Sequence, residues 1–103
     1  MKNYKTYGCK LSIETARREV ESRLSLTFQE RDSLYWGIYF LFKEGEAIRL
    51  ELKGNVDPFD FLPLRSEFAE YPVLFYVMQP SSFAEIDLSP LEGTFDLLES
   101  RLL

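Results

Sequence analysis

Two pairs of carboxylates, Asp57 with Asp60 and Glu67 with Glu70, are the residues of this chain whose type and spacing come nearest to chemistry. Paired acids can flank a scissile bond or hold a divalent cation, but neither pair has the spacing of a calcium loop. Asp57-Pro58 also reads as a turn, since Asp opens turns and Pro fixes the φ that follows. The chain has no histidine, so every Ser–His, Cys–His and His-containing zinc arrangement is excluded. Its five glycines lie far apart and no GK[ST] occurs, which argues against a phosphate loop. The single cysteine, Cys9, has no CxxC partner. Lys10 beside it could lower an exposed thiol's pKa, but a small apolar residue in a strand is the simpler reading. The expectation is a protein without catalytic residues, metal or cofactor that works by binding.

Charge narrows the partner. The formal net charge is −5, against non-specific binding to nucleic acid or anionic lipid. Residues 1–43 carry eight Lys/Arg against five Asp/Glu, whereas residues 44–99 carry three against twelve. That second stretch is also rich in Phe and Leu, so it has apolar area to bury and its acids belong on a folded surface. The expected contact surface is its acidic loop, Asp57, Asp60, Glu67, Glu70 and Tyr71. Tyr35 and Tyr39 are candidate anchors on one face of a strand, because tyrosine suits a surface that is part apolar and part wet.

The elements that must position these residues are legible in outline. Tyr4 to Leu11 reads as a first strand with a bulge at Gly8. Ser12 caps a helix from Ile13 to Ser25, with Ile13, Ala16, Val20 and Leu24 on one face and the pairs Glu14–Arg18 and Glu19–Arg23 on the other. Leu34 to Phe42, apolar at both alternating sets, predicts a central strand. The turn Lys43 to Glu46 joins it to a strand in which Ile48, Leu50 and Leu52 alternate with Arg49, Glu51 and Lys53.

Gly54-Asn55 ends that strand, and Val56 to Leu64, with two prolines, is a loop with apolar anchors. Pro72 to Met78 is a further strand, closed by a turn at Gln79 to Ser82. Phe83, Ile86 and Leu88 suggest a short helix capped by Ser82 and broken near Pro90 and Gly93. Thr94 to Leu103 fits either a helix or a strand, and a final strand is preferred. The whole predicts a single α+β domain over residues 1–103, mainly an antiparallel sheet of three to five strands with one or two helices on one face. The 46% hydrophobic content is ample for its core. The longest apolar run is nine residues where a membrane span needs about twenty, and the start of the chain has no signal-like stretch. With one cysteine, a cytoplasmic setting is expected.

Three segments, Glu30 to Tyr39, Gly54 to Asp57 and Glu70 to Val77, together with Tyr7-Gly8, Leu11-Ser12, Ala16-Arg17, Val20-Glu21 and Glu85-Ile86, resemble the small immunity proteins of bacterial contact-dependent growth inhibition and polymorphic toxin systems. The likeness runs over nearly the whole length. It implies a bacterial cytoplasmic protein that binds and neutralises the C-terminal domain of one cognate toxin, often a nuclease, with no direct nucleic-acid or membrane contact. The alternatives are a structural or regulatory adaptor, docking through an exposed strand edge or forming a homo-oligomer, and an enzyme using carboxylates alone.

Overall fold

The computed structural model describes residues 2–80 and 86–102. Six strands, all antiparallel to their neighbours, form one open sheet: β1 (Lys2–Cys9), β2 (Gln29–Ser33), β3 (Gly37–Glu44), β4 (Ile48–Gly54), β5 (Val73–Pro80) and β6 (Asp96–Leu102), in the order β2-β3-β4-β5-β1-β6. The strand count exceeds the expected three to five. The additional strand is β2, whose QERDS sequence is polar at every position and outward-facing along nearly its whole length.

Among the described residues one α-helix, α1 (Ile13–Leu24), covers one face. Ser12 caps it by accepting a hydrogen bond from the Thr15 N–H, and Ser25 ends it in the left-handed region, its N–H donating to Glu21 O. Ala16 and Val20 are fully buried, and Ile13 and Leu24 pack at the margin, as their spacing predicts. Arg17 instead of Arg18 takes Glu14, at 2.8 Å, and also reaches Glu21, while Arg23 pairs with Glu19 as expected. Beneath the helix, Leu50 and Leu52 of β4 and Val73, Phe75 and Val77 of β5 meet Phe28, Phe40, Leu91 and Phe95. Cys9 is buried there too, and burial pushes its thiol upward, away from the reactive thiolate.

The expected strand from Leu34 is corrected: Leu34 to Trp36 form the turn between β2 and β3, and the strand begins at Gly37, which has φ +67°. Nor is it central, since only the edge strand β2 lies outside it; β4 and β5 occupy the middle. Tyr35 and Tyr39 therefore do not share a strand. The final strand is present as β6. The helix expected from Ser82 lies largely outside the described residues, of which Ser89–Leu91 form a single 3₁₀ turn.

The bulge expected at Gly8 falls one step away, where Thr6 faces Glu99 and Tyr7 faces Leu97, leaving Leu98 as the extra residue on β6. Gly8 has a different reason. A Cβ there would lie 2.6 Å from Tyr71 Cγ and 2.8 Å from Leu98 Cδ1, so the missing side chain admits the Tyr71 ring. Gly8→Ala is expected to destabilise the protein by about 1–3 kcal/mol, the usual cost of overpacking. Chemical denaturation of the variant measures this, and Tyr71→Ala in the same background should recover part of the loss.

Candidate partner-binding site

Of the ten exposed large apolar residues among those described, eight gather at or beside two neighbouring turns, and the other two, Leu97 and Leu102, lie on β6. In the β2–β3 turn Leu34 and Tyr35 are 79% and 75% exposed, followed by Trp36 and, at the start of β3, Ile38. In the loop after β4, Phe59 and Phe61 are each 77% exposed, with Val56 and Leu62 beside them. The turns lie close together: a Cβ on Gly37 would lie 4.0 Å from Pro58 Cβ, and Trp36 and Leu64 line one common cleft. Scattered exposed apolar residues are ordinary, but a contiguous set marks a contact surface.

Both turns are held firmly. Trp36 lies over the Lys53 ammonium, 3.4 Å from ring centroid to Nζ, with Tyr39 and Tyr76 at 5.6 and 5.1 Å. Glu51 completes the ring of partners at 2.6 Å from that ammonium. Trp36 also meets Tyr35 and Tyr39 edge-on, and Ser33 Oγ accepts from the Tyr35 N–H. Tyr35 thus presents at the tip. Tyr39 is half-buried behind Trp36 and supports it.

The long loop from 55 to 72 is organised by Asn55, which is buried. Its side-chain amide donates to the carbonyls of Arg65, Phe68 and Tyr71 at 3.3, 3.0 and 3.1 Å, while Oδ1 accepts from the Arg65 N–H at 2.8 Å. Its own N–H donates to Pro72 O. One side chain, its two N–H hydrogens shared among three carbonyls, serves four backbone groups of a segment with little ladder of its own. Sequence reading takes Gly54-Asn55 only as a strand end, because a residue with partners ten to sixteen positions away carries no local signal.

The acids predicted as contacts divide in two. Asp57 Oδ1 accepts from the Phe59 N–H and Asp60 Oδ1 from the Leu62 N–H. With Asp57 N–H to Leu62 O and Phe61 N–H to Asp57 O, they fold the tip and hold Phe61 at φ 61°. Glu67 and Glu70 are exposed further along; Glu67 pairs with Arg65, whereas Glu70 lies near Tyr71. Tyr71 donates to Asp96 at 2.9 Å, and that bond raises its pKa. The loop therefore brings Asp57, Asp60, Glu67, Glu70 and Tyr71 onto one structural unit, with Tyr35 on the adjoining turn.

The opposite, helix-free sheet face carries polar groups. Arg65 reaches across to Glu99 at 3.1 Å, where Thr6 also donates, and Glu51 accepts from Arg49 and Lys53. Burial would raise both carboxyls, but these cationic and hydroxyl donors outweigh it and hold Glu51 and Glu99 below the usual range. Both therefore favour the folded state at neutral pH, a contribution lost as pH falls through their lowered values. Among the described residues no group of His, Cys, Asp and Glu could hold a metal ion, and no helix is long and apolar enough to cross a membrane. Comparison with protein-family models, curated proteins and solved structures found no match.

Proposed function

We propose that this protein is an immunity protein that binds the C-terminal domain of a cognate bacterial toxin and neutralises it. Binding is carried by one observation, the contiguous apolar surface of the two adjoining turns, held in place by satisfied backbone and the seated Trp36. The toxin as partner rests on the resemblance of the three segments named above, of which Glu30 to Tyr39 carries one of the two turns and Gly54 to Asp57 contributes Val56 to the other. The net charge of −5 favours a basic partner such as a nuclease cleft. Tyr35 and Phe59 are the anchors, with Glu67 and Glu70 as the charges that steer approach.

The test is co-expression with the toxin domain encoded beside this protein's gene. Rescue of growth and co-elution support the reading; absence of both overturns it and favours an adaptor. Within the complex, Tyr35→Ala and Phe59→Ala should each weaken affinity by about thirtyfold, as for interface hot spots of about 2 kcal/mol. Glu67→Lys with Glu70→Lys should slow association and reduce its salt dependence. Reversal of Asp57 or Asp60 would instead disturb the tip they fold. Unchanged affinity in Tyr35→Ala, in Phe59→Ala and in the double Glu67→Lys, Glu70→Lys variant would move the contact surface elsewhere.

A further inference from the structure

The strand register assembles, on the helix-free face, cations that are far apart in sequence. Arg101 of β6 faces Tyr4 of β1, Tyr4 faces Met78 of β5, Met78 faces Arg49 of β4, and Arg49 faces Lys43 of β3. This row crosses five strands with three cations and no acid. Neighbouring strands are about 4.8 Å apart, so the Cα atoms of Arg49 and Arg101 stand roughly 14 Å from one another across Tyr4 and Met78. Two arginine side chains can close much of that gap.

Two acids, Glu51 and Glu99, line the same concavity, but both are already paired and are outnumbered there by Lys5, Arg49, Lys53, Arg65 and Arg101. Glu51 is shared between Arg49 and Lys53, and Glu99 is held by Arg65 and Thr6. Arg49 meets Glu51 through Nε, and among the described residues its terminal nitrogens have no hydrogen-bond partner. Among the described residues, neither Arg101 nor Lys43 has an ion pair. Lys43 directly opposite Arg49 is a like-charge pair of the kind that destabilises a sheet. Tyr4, Met78, Arg49 and Arg101 line one cavity of about 240 Å³. That is below the roughly 300–1,000 Å³ of drug-sized sites and suits a small ligand.

We propose that this concavity is a binding site for a small phosphorylated molecule bearing at least two negative charges. Arg49 and Arg101 grip its phosphate oxygens from either side, and Tyr4 and Met78 form the floor. Guanidinium groups match phosphate oxygens with paired hydrogen bonds, which a lone lysine cannot do. The acidity of the chain as a whole does not forbid this, because at physiological salt charges beyond about 8 Å are largely screened and the local row dominates.

The experiment is a titration of the full chain with inorganic pyrophosphate, followed by backbone amide spectra and calorimetry at low salt. Saturable shifts confined to residues around Tyr4, Met78, Arg49 and Arg101 are expected. Arg49→Gln with Arg101→Gln should weaken binding at least tenfold while the remaining amide spectrum stays native, and Arg18→Gln, on the exposed surface of α1, should leave it unchanged. Saturable binding that survives the double substitution, or no saturable binding at all, overturns the site. Tighter binding of a single-stranded oligonucleotide than of pyrophosphate to this face would overturn the small-ligand assignment.

Discussion

Asn55→Leu is expected to lower the stability of the protein by about 3 kcal/mol and to release the segment between β4 and β5. Leucine has a similar volume but satisfies none of the three carbonyls or the Arg65 N–H that the side-chain amide now serves. A buried polar group left without a partner costs about 1–3 kcal/mol. The total is capped because the segment can detach and rehydrate, which converts a buried penalty into local opening. Urea denaturation gives the first quantity, and hydrogen exchange at Arg65 locates the second. Asn55→Asp sharpens the test. Its carboxylate would face three carbonyl oxygens, and only the protonated form can donate to one of them, so the folded-state pKa is raised. Measured against the unsubstituted protein at each pH, the stability of that variant should compare best at low pH and worsen as pH rises through the raised value. A flat pH response would show that the side chain is not enclosed by those carbonyls.

Phe75→Ala is expected to cost about 3–5 kcal/mol, the range for deleting a buried aromatic side chain. Small domains are stable by only about 5–15 kcal/mol, so this substitution removes about a fifth or more of what holds the fold. Phe75 is fully buried, and its ring meets those of Tyr7, Phe28 and Phe95 at centroid distances of 6.2, 6.4 and 5.8 Å. Those three rings come from β1, the segment after α1 and the approach to β6, so one cavity loosens three separate connections. A lower denaturation midpoint with Phe75→Leu intermediate is the expected series. If Phe75→Ala cost less than about 1 kcal/mol, the core would have to be centred elsewhere.

These sites differ in how plainly they show in the sequence. The α1 face, the alternation of β4 and the apolar run of β5 carry a period because each has a buried and an exposed side. Strand β2 carries none, since an edge strand with nearly every side chain in water leaves no pattern. Leu34-Tyr35-Trp36 misleads in the opposite direction: apolar residues imply a strand interior, yet here they form an exposed turn before a glycine at positive φ. The acidic loop is found by composition, but composition cannot tell Asp57 and Asp60, which cap backbone N–H groups, from Glu70, which does not. Charge counted along the chain contrasts its two halves, whereas strand order collects Lys43, Arg49 and Arg101 from three different segments onto one face.

An uncovered apolar surface ordinarily invites self-association, and the danger is greatest where it coincides with unpaired strand backbone that another chain can extend. In this molecule the larger apolar surface lies away from the sheet edges, although Leu97 and Leu102 are exposed on the edge strand β6. The outer strand β2 presents Glu30, Arg31 and Asp32, and β6 at the far end is interrupted by the extra Leu98. The apolar side chains stand on turns whose N–H groups at Tyr35, Phe59, Phe61 and Leu62 are already taken. A second copy arriving there finds side chains to touch but no ladder to join, so contact stays reversible and does not propagate into a fibril.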